Sequence, residues 1–290
     1  MRIHRHLTIH LPLRFVSLCF VGLGAWPCTL SHANEAIRVA IYNDNGVGQS
    51  WKSVQSNLTA EDQTFSVQTI NAQEIRSGVL DDFDVLIHPG GSGSQQGKAL
   101  QEAGRESVRK FVSDGGGYLG ICAGAYLATN DYSWSLNLLD AKVVDRLHWN
   151  RGNGDVSISL TDQAATLFDC TDHEVNIYYA QGPLLGRREW DDPRVPDYES
   201  LAVFSTEIAK KGAPRGIMIG TSAAVRGEYD EGRVLCFSPH PELTEALGSW
   251  ITIAVQWLAC DQSRPEATPR CPTSARPTPG RRRTPTKNRD

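Results

Sequence analysis

The sequence predicts an α/β fold: a mainly parallel sheet with helices on both faces, carrying added antiparallel strands in its C-terminal half. Three observations carry that expectation. Short β-branched runs alternate with helical patterns between residues 37 and 129, the order that builds parallel strands joined by crossover helices. One of those runs, Val85-Leu86-Ile87, is apolar without alternation, as a strand covered on both faces requires. Beyond about Lys142 the runs are joined mostly by turns, the pattern of antiparallel neighbours.

The elements follow in order. Residues 37–42 read as a strand that stops at the turn signal Asn43-Asp44-Asn45-Gly46. Trp51, Val54 and Leu58 share one face of a helix over 50–58. Strands are expected over 65–70, 84–88 and 118–121, with helices over 72–77 and 97–113 between them. The C-terminal half reads as strands over 156–160, 174–179, 201–206, 216–225 and 233–237, with little helix between them. Asn153-Gly154 and Asp230-Glu231-Gly232 are expected as hairpin connections. An amphipathic helix over 244–259 closes the domain.

The ends differ from the body. Arg2, Arg5 and Arg14, the apolar run 15–25 and the small residues of Ser31-His32-Ala33 read as a secretory signal over residues 1–33. The expectation is cleavage after Ala33, a secreted or periplasmic protein, and no stable membrane insertion afterwards. Residues 34–261 form the expected domain. Residues 262–290 are dense in Pro, Arg and Thr and read as a disordered basic tail. The domain carries 18 basic against 31 acidic side chains, a net charge of −13, which argues against nucleic acid as a partner. Seven cysteines are present, and five follow residue 33. An odd number in an exported chain leaves at least one thiol unpaired within it. After residue 33 no Cys-x-x-Cys or His-x-x-x-His spacing points to a metal, and no cofactor is expected.

The chemistry centres on Gly120-Ile121-Cys122-Ala123-Gly124. An apolar strand runs into Cys122 and a helical segment follows it. A strand that turns sharply into a helix pushes one side chain out of the backbone path, and flanking glycines keep the turn clear. The N–H groups at the start of the helix then favour a thiolate at Cys122. A thiol nucleophile needs a base, and the base needs an orienting partner. Ser238-Pro239-His240-Pro241-Glu242 offers His240 as base and Glu242 as its holder. An extended His-x-Glu would place both side chains on one side. Pro89-Gly90-Gly91-Ser92-Gly93 follows the third strand, where parallel sheets bind ligands. Its backbone donors, with the N–H of Ala123, can form an oxyanion hole.

Pro89-Gly90-Gly91, the Gly120–Gly124 stretch and His240-Pro241-Glu242, in that order after a run of βα units, resemble the class I glutamine amidotransferase-like superfamily. Within it, residues 88–91, 120–126 and Tyr179-Ala180-Gln181-Gly182-Pro183 are most similar to the domain at the N-terminus of biotin-protein ligases. The resemblance covers residues 37–259. It implies a flavodoxin-like three-layer sandwich with Cys122 as nucleophile, His240 as base and Glu242 as its orienter. Gly91 and Ala123 would supply the oxyanion donors, and Gly90, Tyr126 and Tyr179 would stand at the substrate. Glutamine amidotransferases usually carry Gln where this chain has Tyr126, so the resemblance does not assign glutamine as the substrate. His148, Trp149, Arg151 and Tyr178 are further candidates for the pocket. The reading is an exported Cys-dependent hydrolase of an amide C–N bond, acting on a small-molecule amide or carboxylate ligand. The alternative is a binding module of the same fold with an idle triad.

Overall fold

The computed structural model describes residues 36–60 and 64–260. The expected signal over 1–33 and the expected tail over 262–290 lie outside the described residues. The strands are β1 (Ile37–Tyr42), β2 (Phe65–Ile70), β3 (Val85–His88), β4 (Gly117–Ile121), β5 (Ala141–Val143), β6 (Asn153–Leu160), β7 (Glu174–Ala180), β8 (Leu185–Arg187), β9 (Glu199–Phe204), β10 (Ser222–Tyr229) and β11 (Gly232–Phe237). The helices are α1 (Trp51–Thr59), α2 (Ala72–Arg76), α3 (Gly93–Ser113), α4 (Ala123–Ala128), α5 (Asp162–Leu167) and α6 (Ser249–Ala259).

The main sheet runs in the order β2-β1-β3-β4-β11-β10-β9-β6-β7. From β2 to β11 every pairing is parallel, and from β11 to β7 every pairing is antiparallel. The antiparallel half therefore extends one edge of a flavodoxin-like parallel sheet. The short β5 and β8 pair with each other beside β10.

Side-chain direction alternates along each strand and divides the core into two layers. Val39, Ile41, Val85, Ile87, Leu119 and Ile121 face one way, against Val54 and Leu58 of α1 and Trp250, Ile251 and Val255 of α6. Ala40, Tyr42, Leu86 and Tyr118 face the other, against Ile75 of α2, Leu100 and Val108 of α3 and Ala125 of α4. Both faces of β3 are thus covered, which is why its run carries no polar alternation.

Several expectations need correction. The segment 216–221 is not strand: Gly216 and Gly220 adopt φ of 80° and 79°, a conformation that breaks an extended run. The strand there begins at Ser222 and continues to Tyr229. Asn153-Gly154 is not a turn but the start of β6, paired with Ala180 and Tyr179. Its link to β7 contains α5, capped by Thr161 Oγ1 accepting from Ala164 N, a helix the turn-rich reading missed. The last helix starts at Ser249 rather than residue 244, because Thr244 is held in the preceding turn by its bond to the His240 carbonyl. By contrast, Asp230-Glu231 does close the β10–β11 hairpin, with Tyr229 paired to Gly232.

Candidate active site

Strand register assembles the site. His88 pairs with Gly120, and Ile121 pairs with Phe237. The C-terminal ends of β3, β4 and β11 are therefore level, and the segments that leave them lie side by side. These are the 89–93 loop, Cys122, and Ser238 to Glu242.

Cys122 occupies a backbone position with φ 52° and ψ −96°, a strained setting for a residue with a Cβ. The surroundings hold it there. Its N–H donates to the Phe237 carbonyl at 2.8 Å. A Cβ on Gly120 would lie 2.7 Å from the Gly124 carbonyl group, and one on Gly124 would lie 2.0 Å from the His88 oxygen. Both glycines are thus demanded by the closeness of strand, turn and helix. The following helix α4 has only six residues, so local N–H groups at its start matter more than any long dipole. The Cys122 thiol is buried and donates to the Ala180 carbonyl at 3.4 Å.

His240 is buried, and its Nδ1 lies 2.7 Å from Oε1 of the buried Glu242. Residues Pro241–Leu243 form a 3-10 turn rather than the extended segment expected. Proline's fixed φ starts that turn, and Leu243 N–H donates to the His240 carbonyl at 3.2 Å. The carboxylate reaches the imidazole all the same. Burial works against charge on His240. A thiolate at Cys122 and the Glu242 carboxylate together outweigh it, and hold the imidazole well above its ordinary range. Strand β7 braces this segment: His240 N–H donates to the Tyr178 carbonyl at 2.8 Å, and Tyr178 N–H to Thr244 Oγ1 at 3.0 Å.

The 89–93 loop closes the third side. A Cβ on Gly90 would sit 2.7 Å from His240 Cε1, and one on Gly93 would sit 3.0 Å from the Ala123 oxygen. Gly91 has φ 142° and a Cβ there would meet the Gly46 oxygen at 2.2 Å. Among the described residues, the N–H groups of Gly91 and Ala123 have no hydrogen-bond partner.

Tyr126 and Tyr179 stand beside Cys122. Burial, then the charges at Tyr179 and Cys122, push the Tyr126 hydroxyl well up, while Arg151 opposes the shift. Burial likewise raises Tyr179, whose hydroxyl donates to the Gly182 carbonyl at 2.8 Å. Arg151 is 1% exposed and belongs to this neighbourhood. Trp149 is 53% exposed and stands away from the buried groups, and His148 is turned to Asp145 at 2.9 Å.

Two residues of the site had no signal in the sequence. Gln96 accepts from His88 Nδ1 at 3.0 Å and donates to the Pro89 and Gly46 carbonyls at 3.0 and 3.3 Å, fixing the loop. Asp145 accepts from Arg151 at 2.6 Å. Both are polar residues in unremarkable contexts, and only tertiary packing gives them work.

Cys122, Cys170, Cys236 and Cys260 are all free thiols. Burial pushes the Cys236 and Cys170 thiols up, away from the reactive form. No group of His, Cys, Asp and Glu among the described residues is arranged to hold a metal ion, and no described helix is long and apolar enough to cross a membrane. A cavity of about 540 Å³ opens at the opposite, N-terminal ends of β3, β4 and β11, lined by Asp84, Gly116, Arg233 and Cys260 among others. It brings no histidine to Cys260.

The fold, with a cysteine on a strained strand-to-helix turn and a buried His–Glu pair beside it, is similar to that of the class I glutamine amidotransferase-like proteins. Within that class, residues 37–148 match the family described as biotin-protein ligase, N terminal. The chain is 26% identical over 170 residues to the pyridoxal 5′-phosphate synthase subunit PdxT of Bifidobacterium adolescentis, covering 57% of this chain and 78% of that one. Among solved structures it is similar to a glutamine amidotransferase from Thermotoga maritima, at 13% identity and TM-score 0.46 over 77% of this chain and 84% of that one. It is also similar to a ThuA-like protein from Bacteroides uniformis, at 12% identity and TM-score 0.48 over 82% and 97% of the two chains.

Proposed function

We propose that this protein is a Cys-His-Glu amidohydrolase, exported on the strength of residues 1–33, that cleaves a small-molecule amide through a thioester on Cys122. The observation that carries the reading is the buried His240–Glu242 pair, 2.7 Å apart, set against a cysteine whose backbone is strained at φ 52°. A buried imidazole with one nitrogen fixed by a carboxylate has its other nitrogen free for proton transfer.

The steps follow from the side chains. The thiol leaves the Ala180 carbonyl and gives its proton to His240. The sulfur attacks the carboxamide carbon, and the carbonyl oxygen takes up negative charge. The N–H groups of Gly91 and Ala123 are the donors available to it. The tetrahedral species collapses, His240 returns the proton to the leaving nitrogen, and ammonia or an amine departs. Water, deprotonated by His240, then attacks the thioester carbon. The C–S bond breaks, the acid is released, and the thiol is restored. Glu242 holds the imidazole throughout and favours its charged form.

One observation favours a second reading, a binding module with an idle triad: the thiol donates to the Ala180 carbonyl at 3.4 Å as well as facing His240. Alkylation separates the two. With an active site, iodoacetamide at pH 7 labels Cys122 at least ten times faster than Cys170 and Cys236, and His240→Ala slows that labelling about ten-fold or more. Cys122 labelling no faster than Cys170 and Cys236, or unchanged by His240→Ala, would move the assignment to the binding module.

A further inference from the structure

The cavity of about 540 Å³ at the N-terminal ends of β3, β4 and β11 takes no part in the chemistry at Cys122, which stands at the other end of the same strands. Its walls carry two kinds of side chain: the rings of Phe83 and Phe111, and the carboxylates of Asp81, Asp84, Asp114 and Glu231. Asp84 pairs with Arg38 at 2.6 Å, and Asp114 pairs with Lys110. Asp81 and Glu231 are exposed and enter no ion pair among the described residues. Arg233, the cation on the wall, is engaged elsewhere. It donates to the Trp257 carbonyl at 2.8 Å, and its guanidinium lies 5.0 Å from the Trp257 ring.

The chain itself holds a segment that matches these walls. Cys260, the last residue described, lines the cavity, and residues 262–290 follow from it. That segment has eight basic and two acidic side chains, a net charge of +6, and six prolines. Four of its arginines, Arg264, Arg270, Arg276 and Arg282, recur at every sixth position. Proline-rich sequence favours polyproline II, whose turn of three residues puts all four guanidiniums on one face. Segments of this kind are bound in aromatic-lined grooves, where prolines lie on the rings. Arg264 comes four residues after Cys260, a path of about 12 Å in polyproline II.

We propose that residues 264–276 dock in this cavity within the same molecule, with prolines on the rings of Phe83 and Phe111 and arginines turned to Asp81 and Glu231. The cavity and the segment carry opposite charge, and each offers the surface the other lacks: rings without prolines on one side, prolines without rings on the other.

Exposed ion pairs contribute little one by one. The tether makes the difference. A segment joined to the cavity wall by a few residues is presented to it at an effective concentration in about the millimolar range, which a second copy in dilute solution does not reach. Docking at this end of the strands leaves Cys122 open, so the inference stands apart from the amidohydrolase reading.

The test is nitrogen-15 relaxation of the full chain at low salt, read at Ala267 and Ala275, the two alanines of the segment. Both amides are expected to show order parameters near the rigid-backbone value of about 0.85. Asp81→Asn together with Glu231→Gln, both at exposed positions, is expected to drop them below about 0.6, the range of a flexible chain. Raising sodium chloride to about 0.5 M is expected to lower them in the unaltered protein as well, because the charges are exposed to screening. Flexible-chain values in the unaltered protein at low salt, or values that the double substitution leaves unchanged, would overturn the proposal. Order that appears only as protein concentration rises would place the segment on a second copy and overturn it too. The low-salt measurement needs no substitution, so a poorly folding variant leaves it decisive. Alkylation of Cys122 is expected to run at the same rate in the double variant, and its outcome leaves the relaxation result untouched.

Discussion

His88 shows how one side chain at the edge of the site is held in a fixed protonation state. It ends β3 with its ring stacked 4.5 Å from Tyr42 and 5.7 Å from Tyr118. Gln96 offers its amide oxygen to Nδ1 and spends its amide nitrogen on the Pro89 and Gly46 carbonyls. That orientation assigns the proton to Nδ1 and leaves Nε2 bare and unpartnered among the described residues. Burial pushes the pKa from 6.5 down to about 4. Between those values the unfolded chain takes up a proton that folded His88 refuses. Stability therefore falls as pH drops through this window, by about 3 kcal/mol at pH 4, and is unaffected above it. His88→Phe keeps the stacking and removes the proton. Urea unfolding of the two proteins from pH 7 to pH 4.5 is expected to show a slope in the wild type that the variant lacks. Parallel curves would mean that His88 accepts its proton without unfolding. His240 carries the opposite sign. Its raised pKa contributes stability that is complete below 6.5 and is lost as pH rises through the raised value.

At the scale of elements, the turn between β4 and α4 was legible because its demands are local. Glycine at 120 and 124 is required by contacts within a few residues and by the adjoining end of β3, and glycine is a sequence letter that carries a backbone meaning. The same holds for Pro89-Gly90-Gly91, whose Gly91 adopts φ 142°. What escaped was set by distant packing. Nothing in the letters of Gln96 or Asp145 says that one fixes a loop and the other orients Arg151. The start of β10 was misplaced because 216–221 has strand-like composition, while two glycines with positive φ turn it. Gly124→Ala tests the local argument. The new methyl would lie 2.0 Å from the His88 oxygen, a backbone atom that cannot swing away. We expect a loss of about 3 kcal/mol or more in denaturant unfolding, with slower Cys122 alkylation in the fraction that stays folded. A loss under about 1 kcal/mol would mean that the turn can open without cost, and that its strain is not held by this contact.

For the whole molecule, the sheet order decides how rigid each part of the site is. Cys122 leaves β4, which is flanked by β3 and β11 and buried on both faces. Arg151 lies just before β6 and Ala180 ends β7, in the antiparallel extension, and β7 is an outer strand with exposed and half-buried positions along most of its length. Local opening costs least where few apolar contacts and one strand neighbour hold the backbone. The candidate nucleophile is thus mounted on the centre of the sheet, and the antiparallel side of the candidate site on its rim. Backbone amide exchange read by mass spectrometry is expected to separate the two. Peptides covering 117–121 and 234–237 should exchange only at the rate of global unfolding, and those covering 174–180 faster. A ligand bound beside Cys122 should then slow exchange at 150–154 and 174–181 while leaving 117–121 unchanged, because the centre is already at its limit. Uniform protection across β4 and β7 without ligand would instead make the antiparallel half one cooperative unit with the parallel core, and the pocket would have to admit its ligand without any opening of the rim.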